Sequence, residues 1–252
     1  MSLKKKETPV VKKAYLLSDK LSFSSQEAYR SLRTNVMFAL PGNDCKCIGI
    51  TSPTPGDGKS TTAANLAISL GQIGKKVMLV DCDLRLPTVA TKFRINAAPG
   101  LSDFLVGQAP IEEAIRQVVK YNIHILPAGN IPPEPTVLLE SKQFASLLDA
   151  LRKNYDYVIV DLPPVITVPD AVILAKHLDG YLLTTKEKHT ENRAVKEMLR
   201  RLQLAEANTL GFVLTGSDIN DRKYKYRYKY KGKYRYQYKY GYYRYSGYYK
   251  KK

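Results

Sequence analysis

A short glycine-rich segment between an apolar run and a helical pattern constrains this chain most strongly. The run KCIGITS reads as a buried strand, and SPTPGDGKSTT (52–62) follows it and opens a helix. Glycines in a strand-to-helix loop let backbone N–H groups converge on phosphate oxygens, and the N-terminus of the next helix adds a favourable dipole. The segment therefore predicts a site for nucleotide phosphates.

Seven consecutive residues of this loop are expected to hold the nucleotide: Pro55, Gly56, Asp57, Gly58, Lys59, Ser60 and Thr61. The Lys59 ammonium can reach the β- and γ-phosphates, and the Ser60 hydroxyl can ligate Mg²⁺. The strict loop pattern has a glycine five places before Gly58, where this chain has Pro53, and Gly56 supplies the second flexible point. A glycine-rich turn with a chance lysine is the alternative interpretation.

Aspartates end two further strand-like runs. VMLVDCD ends in Asp81 and Asp83, with Arg85 close behind, and VIVDLPP carries Asp161. Residues two apart on a strand point the same way, so Asp81 and Asp83 are expected to face one metal ion. Either acidic group alone could be a strand-end cap or an ion pair. Because ligands bind at the carboxyl ends of parallel strands, the three features together predict a magnesium–nucleotide site.

Continuous apolar strands alternate with helical patterns along the chain, which predicts a parallel sheet covered on both faces. The expected fold is α/β: a P-loop NTPase-like, doubly wound, mostly parallel sheet in three α/β/α layers. Ser24, with Glu27 three places on, has the spacing of a capping box for the first helix. Helices are expected near residues 26–40, 59–74, 101–106, 111–119, 136–153, 170–178 and 190–204.

Charge divides the chain into three parts. Of the formal charge of +17, residues 222–252 carry +13 and residues 1–13 carry +4, so the middle is neutral. We expect a flexible basic arm (1–20), a globular P-loop domain (21–221) and a disordered tail (222–252) of tyrosine, lysine and arginine. Such a tail could also bind single-stranded RNA or anionic lipid, or be a solvated charge run.

The three cysteines, Cys45, Cys47 and Cys82, fit neither a disulfide framework nor zinc-site spacing, which favours a reducing cytoplasm. No apolar run approaches about 18 residues, the length that spans a bilayer. Any contact with a membrane is therefore expected through the basic ends or through another protein.

The loop ending in Lys59, the motif Asp81-x-Asp83-x-Arg85 and the run V-I-V-Asp161 together resemble the bacterial protein-tyrosine kinases of capsular and exopolysaccharide export. Those kinases carry a Walker A motif, a second A-type motif, a Walker B motif and a C-terminal tyrosine cluster. The resemblance covers essentially residues 20–252 and implies ATP and Mg²⁺ as cofactors. Partitioning and division-site ATPases are the nearest alternative, but they carry a lysine at the loop position that Thr54 occupies here.

By this resemblance, Lys59 and the loop hold the phosphates, Asp161 positions a metal-bound water, and Asp81 or Asp83 takes the proton from an attacking tyrosine. The implied catalytic residues are Lys59, Asp81, Asp83 and Asp161. The implied Mg²⁺ ligands are Ser60, Asp81, Asp83 and Asp161, and Arg85 is counted with the nucleotide-binding residues. Glu27-x-x-Arg30-x-x-Arg33 is similar to the family's oligomerisation motif, with a solvated helix face as the alternative.

The resemblance also implies a process and partners. We expect autophosphorylation in trans, within a ring of identical subunits, that regulates polysaccharide synthesis and export. The expected substrates are the tail tyrosines Tyr224, Tyr226, Tyr228, Tyr230, Tyr234, Tyr236, Tyr238, Tyr240, Tyr242, Tyr243, Tyr245, Tyr248 and Tyr249. The implied partners are a membrane adaptor of the polysaccharide co-polymerase type, which recruits the cytoplasmic kinase to the inner face of the membrane, and a tyrosine phosphatase. Nucleic acid is not expected as a partner.

Overall fold

A computed structural model describes residues 16–17, 21–42 and 44–217. The strands are β1 (Lys46–Thr51), β2 (Val77–Asp81), β3 (Arg116–Val118), β4 (Ile123–Leu126), β5 (Tyr157–Asp161), β6 (Gly180–Lys186) and β7 (Thr209–Thr215). The helices are α1 (Phe23–Ala39), α2 (Lys59–Gly71), α3 (Val89–Phe93), α4 (Leu101–Leu105), α5 (Ile111–Ala114), α6 (Pro135–Glu140), α7 (Lys142–Asn154), α8 (Asp170–Ile173) and α9 (Asn192–Leu204). Short 3-10 turns cover Val119–Tyr121 and Leu174–His177.

The strands form one sheet in the order β3-β4-β2-β5-β1-β6-β7. Every pairing is parallel except that of β3 with β4, which is antiparallel. This confirms the doubly wound, mostly parallel sheet. The predicted tail lies outside the described residues, as does most of the predicted arm.

Two apolar cores lie on opposite faces of the sheet. In β2, Val77 and Leu79 pack into the core beneath α2, whereas Met78 and Val80 pack into the core beneath α7. Alternate residues of a strand point to opposite faces, so a continuous apolar strand supplies both cores. The three-layer α/β/α architecture follows from this alternation.

The N-terminal helix α1 packs against α2. The Arg33 guanidinium donates to the carbonyl oxygen of Ser69 at 2.8 Å and to its hydroxyl at 3.1 Å. Leu17, inside the predicted flexible arm, is buried in the same core. No helix among the described residues combines the length and the apolar composition needed to cross a membrane.

Several predicted boundaries were wrong. The first helix is capped by Ser22, whose hydroxyl accepts from the Ser25 N–H, and not by Ser24. The helix expected over 111–119 ends at Ala114, because the residues after it pair with β4 as the edge strand β3. The helix expected over 136–153 is divided at Ser141, whose hydroxyl caps α7. In each case a side-chain cap or a sheet edge overrides the local helical pattern.

Candidate active site

The loop between β1 and α2 has the backbone that phosphate binding requires. Gly56 and Gly58 have φ angles of +87° and +96°, which other residues rarely adopt. Gly58 immediately precedes α2 and has no capping side chain, so the N–H groups of the first turn remain available to an anion.

The Asp57 side chain is fully buried and turns away from the cleft. Its carboxylate accepts hydrogen bonds from the Thr54 N–H and hydroxyl at 3.0 and 2.9 Å and from the Thr190 hydroxyl at 2.6 Å. The Thr215 hydroxyl donates to the Asp57 carbonyl oxygen at 2.7 Å. These four residues, here called the Asp57 clamp, tie the loop to the segment after β6 and to the last residue of β7. Asp57 can therefore offer a phosphate only its backbone N–H.

Lys59 lies where the loop meets the strand ends. Its ammonium donates to Asp83 Oδ2 at 2.6 Å and to the Ser60 hydroxyl at 3.3 Å, and it lies 3.8 Å from Asp161 Oδ1. Burial alone lowers the pKa of Lys59, but the Asp161 and Asp83 carboxylates outweigh burial and raise it. Lys59 therefore stays protonated at the mouth of the loop.

Asp161 is a buried carboxylate with little hydrogen-bond compensation. Its side chain is fully buried, and neither carboxylate oxygen accepts a hydrogen bond from the part of the chain that the structure describes. Burial raises its pKa, with Lys59 acting in the opposite direction. Two unpartnered carboxylate oxygens beside the Ser60 hydroxyl suit a hard divalent cation, so these residues fit Mg²⁺.

Asp81 and Asp83 have different hydrogen-bond partners, and the expectation that both face one metal ion stays a prediction. Strand β2 ends at Asp81, so the strand alternation does not extend to Asp83. Asp81 accepts from the backbone N–H groups of Asp83 and Val89, at 3.2 and 3.1 Å. Burial raises the pKa of Asp81 well above its usual value, and Asp161 adds to the shift. In the described ranges, no three His, Cys, Asp or Glu side chains converge as a metal cage.

A cleft of about 400 Å³ lies over the loop and the strand ends. It is lined by the predicted residues Pro55, Gly56, Gly58, Lys59, Ser60, Thr61, Asp83 and Arg85 and also by Leu86, Thr88, Lys92, Pro163, Pro164, Thr167 and Val168. Most of the predicted site is thus brought together in one cavity. Asp81 and Asp161 lie buried beneath it.

Arg85 lines this cleft but is bound to the protein itself. Its guanidinium pairs with the buried Asp170 at 3.0 Å and donates to the Thr136 hydroxyl at 3.0 Å. The Thr136 hydroxyl in turn donates to Asp170 at 2.8 Å. Arg85 therefore anchors the segment after β2 to α6 and α8, and in this arrangement it positions the cleft wall.

Comparison with known proteins gives the family. A family model described as an AAA domain matches residues 45–211. Tyrosine-protein kinase YwqD of Bacillus subtilis is 39% identical over 196 residues, covering 78% of this chain and 83% of that protein. The chain belongs to the bacterial tyrosine-protein kinases.

Solved structures agree with this tyrosine-kinase family. The kinase domain of the Escherichia coli tyrosine kinase ETK matches with a TM-score of 0.72 and 30% identity, over 76% of this chain and 77% of that one. The septum site-determining protein MinD of Pyrococcus horikoshii, complexed with Mg-ADP, matches with a TM-score of 0.59 and 27% identity, over 69% and 72%. This chain therefore shares its fold with a protein that was solved with Mg-ADP bound, and the expected P-loop NTPase-like fold is confirmed.

A larger cavity, of about 720 Å³, lies between α7 and the β3–β4 edge in this tyrosine-kinase chain. Among its lining residues Lys76 and His124 are basic, and none is a carboxylate. It lacks the acidic ligands and the glycine loop that a magnesium–nucleotide needs. The smaller cleft is the candidate site because of its chemistry, although the other cavity is larger.

Several residues at the site were missed by the sequence analysis. The His189 ring lies 3.2 Å from the Pro55 carbonyl oxygen, and Thr190 and Thr215 complete the Asp57 clamp. Lys92 lines the cleft from α3, a helix that was not predicted. None of these residues has a motif of its own.

Proposed function

We propose that this chain transfers the γ-phosphoryl group of ATP to tyrosine hydroxyls in the tail of a neighbouring subunit. The observation that carries the proposal is Asp161, whose buried carboxylate accepts no hydrogen bond from the described residues and lies 3.8 Å from the Lys59 ammonium at the mouth of a phosphate-type loop. Family membership supports the reaction class. Phosphoryl transfer depends mainly on positioning and charge neutralisation, and this cleft offers both.

The chain's own residues would position the nucleotide. Backbone N–H groups of the loop and of the first turn of α2 bind phosphate oxygens. The Lys59 ammonium leaves Asp83 and binds the phosphates. Ser60 and Asp161 hold the metal ion. Bound Mg²⁺ would neutralise charge on the β- and γ-phosphoryl oxygens. Two such ligands are enough, because Mg²⁺ in nucleotide sites takes one or two protein groups and completes its shell with phosphate and water.

Asp83 is our candidate for the general base. It lines the cleft, and its Oδ2 is freed when Lys59 turns to the phosphates. Asp83 then accepts the proton of the tyrosine hydroxyl while the phenolic oxygen bonds to the γ-phosphorus. The bond from that phosphorus to the β–γ bridging oxygen breaks, and ADP leaves. A phenol of pKa about 10 needs such a base. Asp81 is held beneath the cleft by two backbone N–H groups and positions the segment after β2.

The tail supplies the substrate in this proposal. Its thirteen tyrosines and its charge of +13 fall in residues 222–252, which lie outside the described part of the chain. Thirty-one residues extend to roughly 100 Å, enough to reach a neighbour in a ring. Each phosphotyrosine adds about −1.5 to −2 charges, so about seven to nine would cancel the tail's charge. Phosphorylation is thus proposed as a charge switch.

We place this reaction in the control of capsular or exopolysaccharide synthesis. The proposed partners are a membrane adaptor of the polysaccharide co-polymerase type and a tyrosine phosphatase that resets the tail. Fusing an adaptor's cytoplasmic end to this chain should raise tail phosphorylation, and co-expressing the whole adaptor with its membrane segments should bring the kinase to the membrane. Equal phosphorylation with and without the fused segment would argue against the adaptor.

A mixing experiment tests transfer between subunits. One partner is the full chain with Lys59→Met, and the other is an active chain whose thirteen tail tyrosines are replaced by phenylalanine. With ATP and Mg²⁺, we expect phosphotyrosine on the Lys59→Met tail only in the mixture, mapped by mass spectrometry. A Lys142→Met chain is the matched control, because Lys142 is exposed and outside the cleft. Absence of phosphate on the inactive subunit would refute transfer in trans.

A further inference from the structure

Three cationic side chains line the cleft, and their partners differ. Lys59 is bound to Asp83 at 2.6 Å, and Arg85 is bound to Asp170 at 3.0 Å. The Lys92 side chain makes no hydrogen bond and no ion pair within 4 Å in the portion of the chain that the structure describes. The cleft therefore holds a cation that the mechanism above does not use.

The short helix α3 fixes the direction of Lys92. The N–H of Val89 donates to Asp81 at 3.1 Å, and Phe93 packs edge-on against Tyr121 with ring centroids 6.0 Å apart. Thr88 and Lys92, four places apart, lie on one side of the turn and both line the cleft. The helix is thus anchored at both ends while Lys92 faces the nucleotide space.

The surroundings of Lys92 favour an anion. Its side chain is partly buried, and burial lowers its pKa. The Asp161 carboxylate attracts the ammonium and Lys59 repels it. A partly buried ammonium without a hydrogen-bonding partner is unfavourable, and an entering phosphate would relieve that cost.

We propose that Lys92 binds the terminal phosphate of the nucleotide, an inference that rests on the proposed function of this cleft. Its strongest attraction is to Asp161, the candidate magnesium ligand, and magnesium in such sites bridges the β- and γ-phosphates. The loop N–H groups and Lys59 can satisfy a diphosphate by themselves. Lys92 is therefore assigned to the γ-phosphate and to the discrimination of ATP from ADP.

Equilibrium binding tests this assignment without relying on activity. We would titrate ADP and a non-hydrolysable ATP analogue, each with Mg²⁺, into the full wild-type chain, Lys92→Met, Lys92→Arg and the control Lys142→Met. Lys92→Met should weaken binding of the ATP analogue about tenfold and that of ADP less than about twofold, the loss of one charge-assisted contact. Lys92→Arg should retain most of the preference for the triphosphate.

The outcomes separate this inference from the proposed function. Equal losses for the two nucleotides would mean that Lys92 only balances charge in the cleft, which overturns the assignment. Unchanged binding by Lys92→Met overturns it as well. If Lys92→Met does not fold, Lys92→Gln, which removes the charge but keeps a polar side chain, replaces it and is judged by the same criteria. A wild-type chain that binds neither nucleotide would overturn the proposed function together with the inference.

Discussion

Asp161 shows how a single residue sets the balance between stability and activity in this chain. A carboxylate that is fully buried and accepts no hydrogen bond among the described residues is costly, and the neighbouring Lys59 compensates it only in part. Such a group persists in a fold when binding a cation depends on it. Burying this carboxylate therefore lowers the free energy of unfolding at the place where magnesium is needed.

The raised pKa of Asp161 predicts a pH-dependent stability. The native carboxyl binds a proton more tightly than the unfolded one, so stability falls as pH rises from about 4 through the raised pKa. Asp161→Asn removes the charge. We expect it to stabilise the nucleotide-free chain at pH 7 by about 1 kcal/mol, or about 2–4 °C in Tm. The difference from wild type should shrink towards pH 4.

Thermal unfolding of both chains between pH 4 and pH 8 checks this. Lys59→Met serves as the comparison of opposite sign, because it removes the cation that compensates Asp161 and Asp83 and should lower Tm at pH 7. Destabilisation by Asp161→Asn at every pH would contradict the account of Asp161.

Residues that a motif names lie together in the structure. Lys59, Ser60 and Asp161 meet at the cleft because a loop and a strand end bring them there whatever the rest of the chain does. The inward turn of Asp57 could not be predicted, since its partner Thr190 is 133 places away. The exposure of Lys92 to the cleft was missed because α3 has only five residues, too few for a clear helical pattern.

Among the secondary-structure elements, the Asp57 clamp couples the phosphate loop to the segment after β6. Thr190 donates to Asp57 and accepts the N–H of Lys186, closing that segment on itself. Thr190→Val should free the loop and reduce affinity for ATP about tenfold, the loss of one hydrogen bond to a buried charge. Thr190→Ser, which keeps the hydroxyl, is the matched control. If nucleotide titration shows that both variants bind like wild type, the clamp does not support nucleotide binding and this prediction is wrong.

The residues of the predicted oligomerisation motif on α1 have two different roles. Arg33 is committed to Ser69 of α2, whereas Glu27 and Arg30 form an exposed ion pair. Because an exposed pair adds little stability, Glu27→Ala should leave Tm unchanged and reduce self-association. Arg33→Ala should lower the free energy of unfolding by about 1 kcal/mol.

Sedimentation velocity and thermal unfolding of the two variants separate these roles. A Glu27→Ala chain that assembles like wild type would leave the motif without an oligomeric function, and Arg33 would then be its one residue with a stated task.

Element boundaries were predicted less well than element types. The buried parallel strands were clear because a run of apolar residues without alternation has few other uses. The edge strand β3 and the helix α3, of three and five residues, are too short for a periodic signal. The first exists through pairing with β4, and the second is held by a hydrogen bond to Asp81 and by packing on Tyr121.

In the whole molecule, the described domain and the strongly basic segments occupy different parts of the chain. The neutral middle of the chain forms the described domain, and the basic ends lie largely outside it. Sequence alone could assign the fold class and the family, because the motifs lie inside the sheet. It could not give the path from tail to cleft, which depends on how subunits assemble.

Titration of ATP into the full wild-type and Asp161→Asn chains, each with Mg²⁺ and with EDTA, tests the central claim most directly. The claim is that this cleft binds a magnesium–nucleotide through Asp161. Wild type should bind ATP at least about tenfold more tightly with Mg²⁺, and Asp161→Asn should lose that dependence. Equal magnesium dependence in the two chains, or none in wild type, would contradict it.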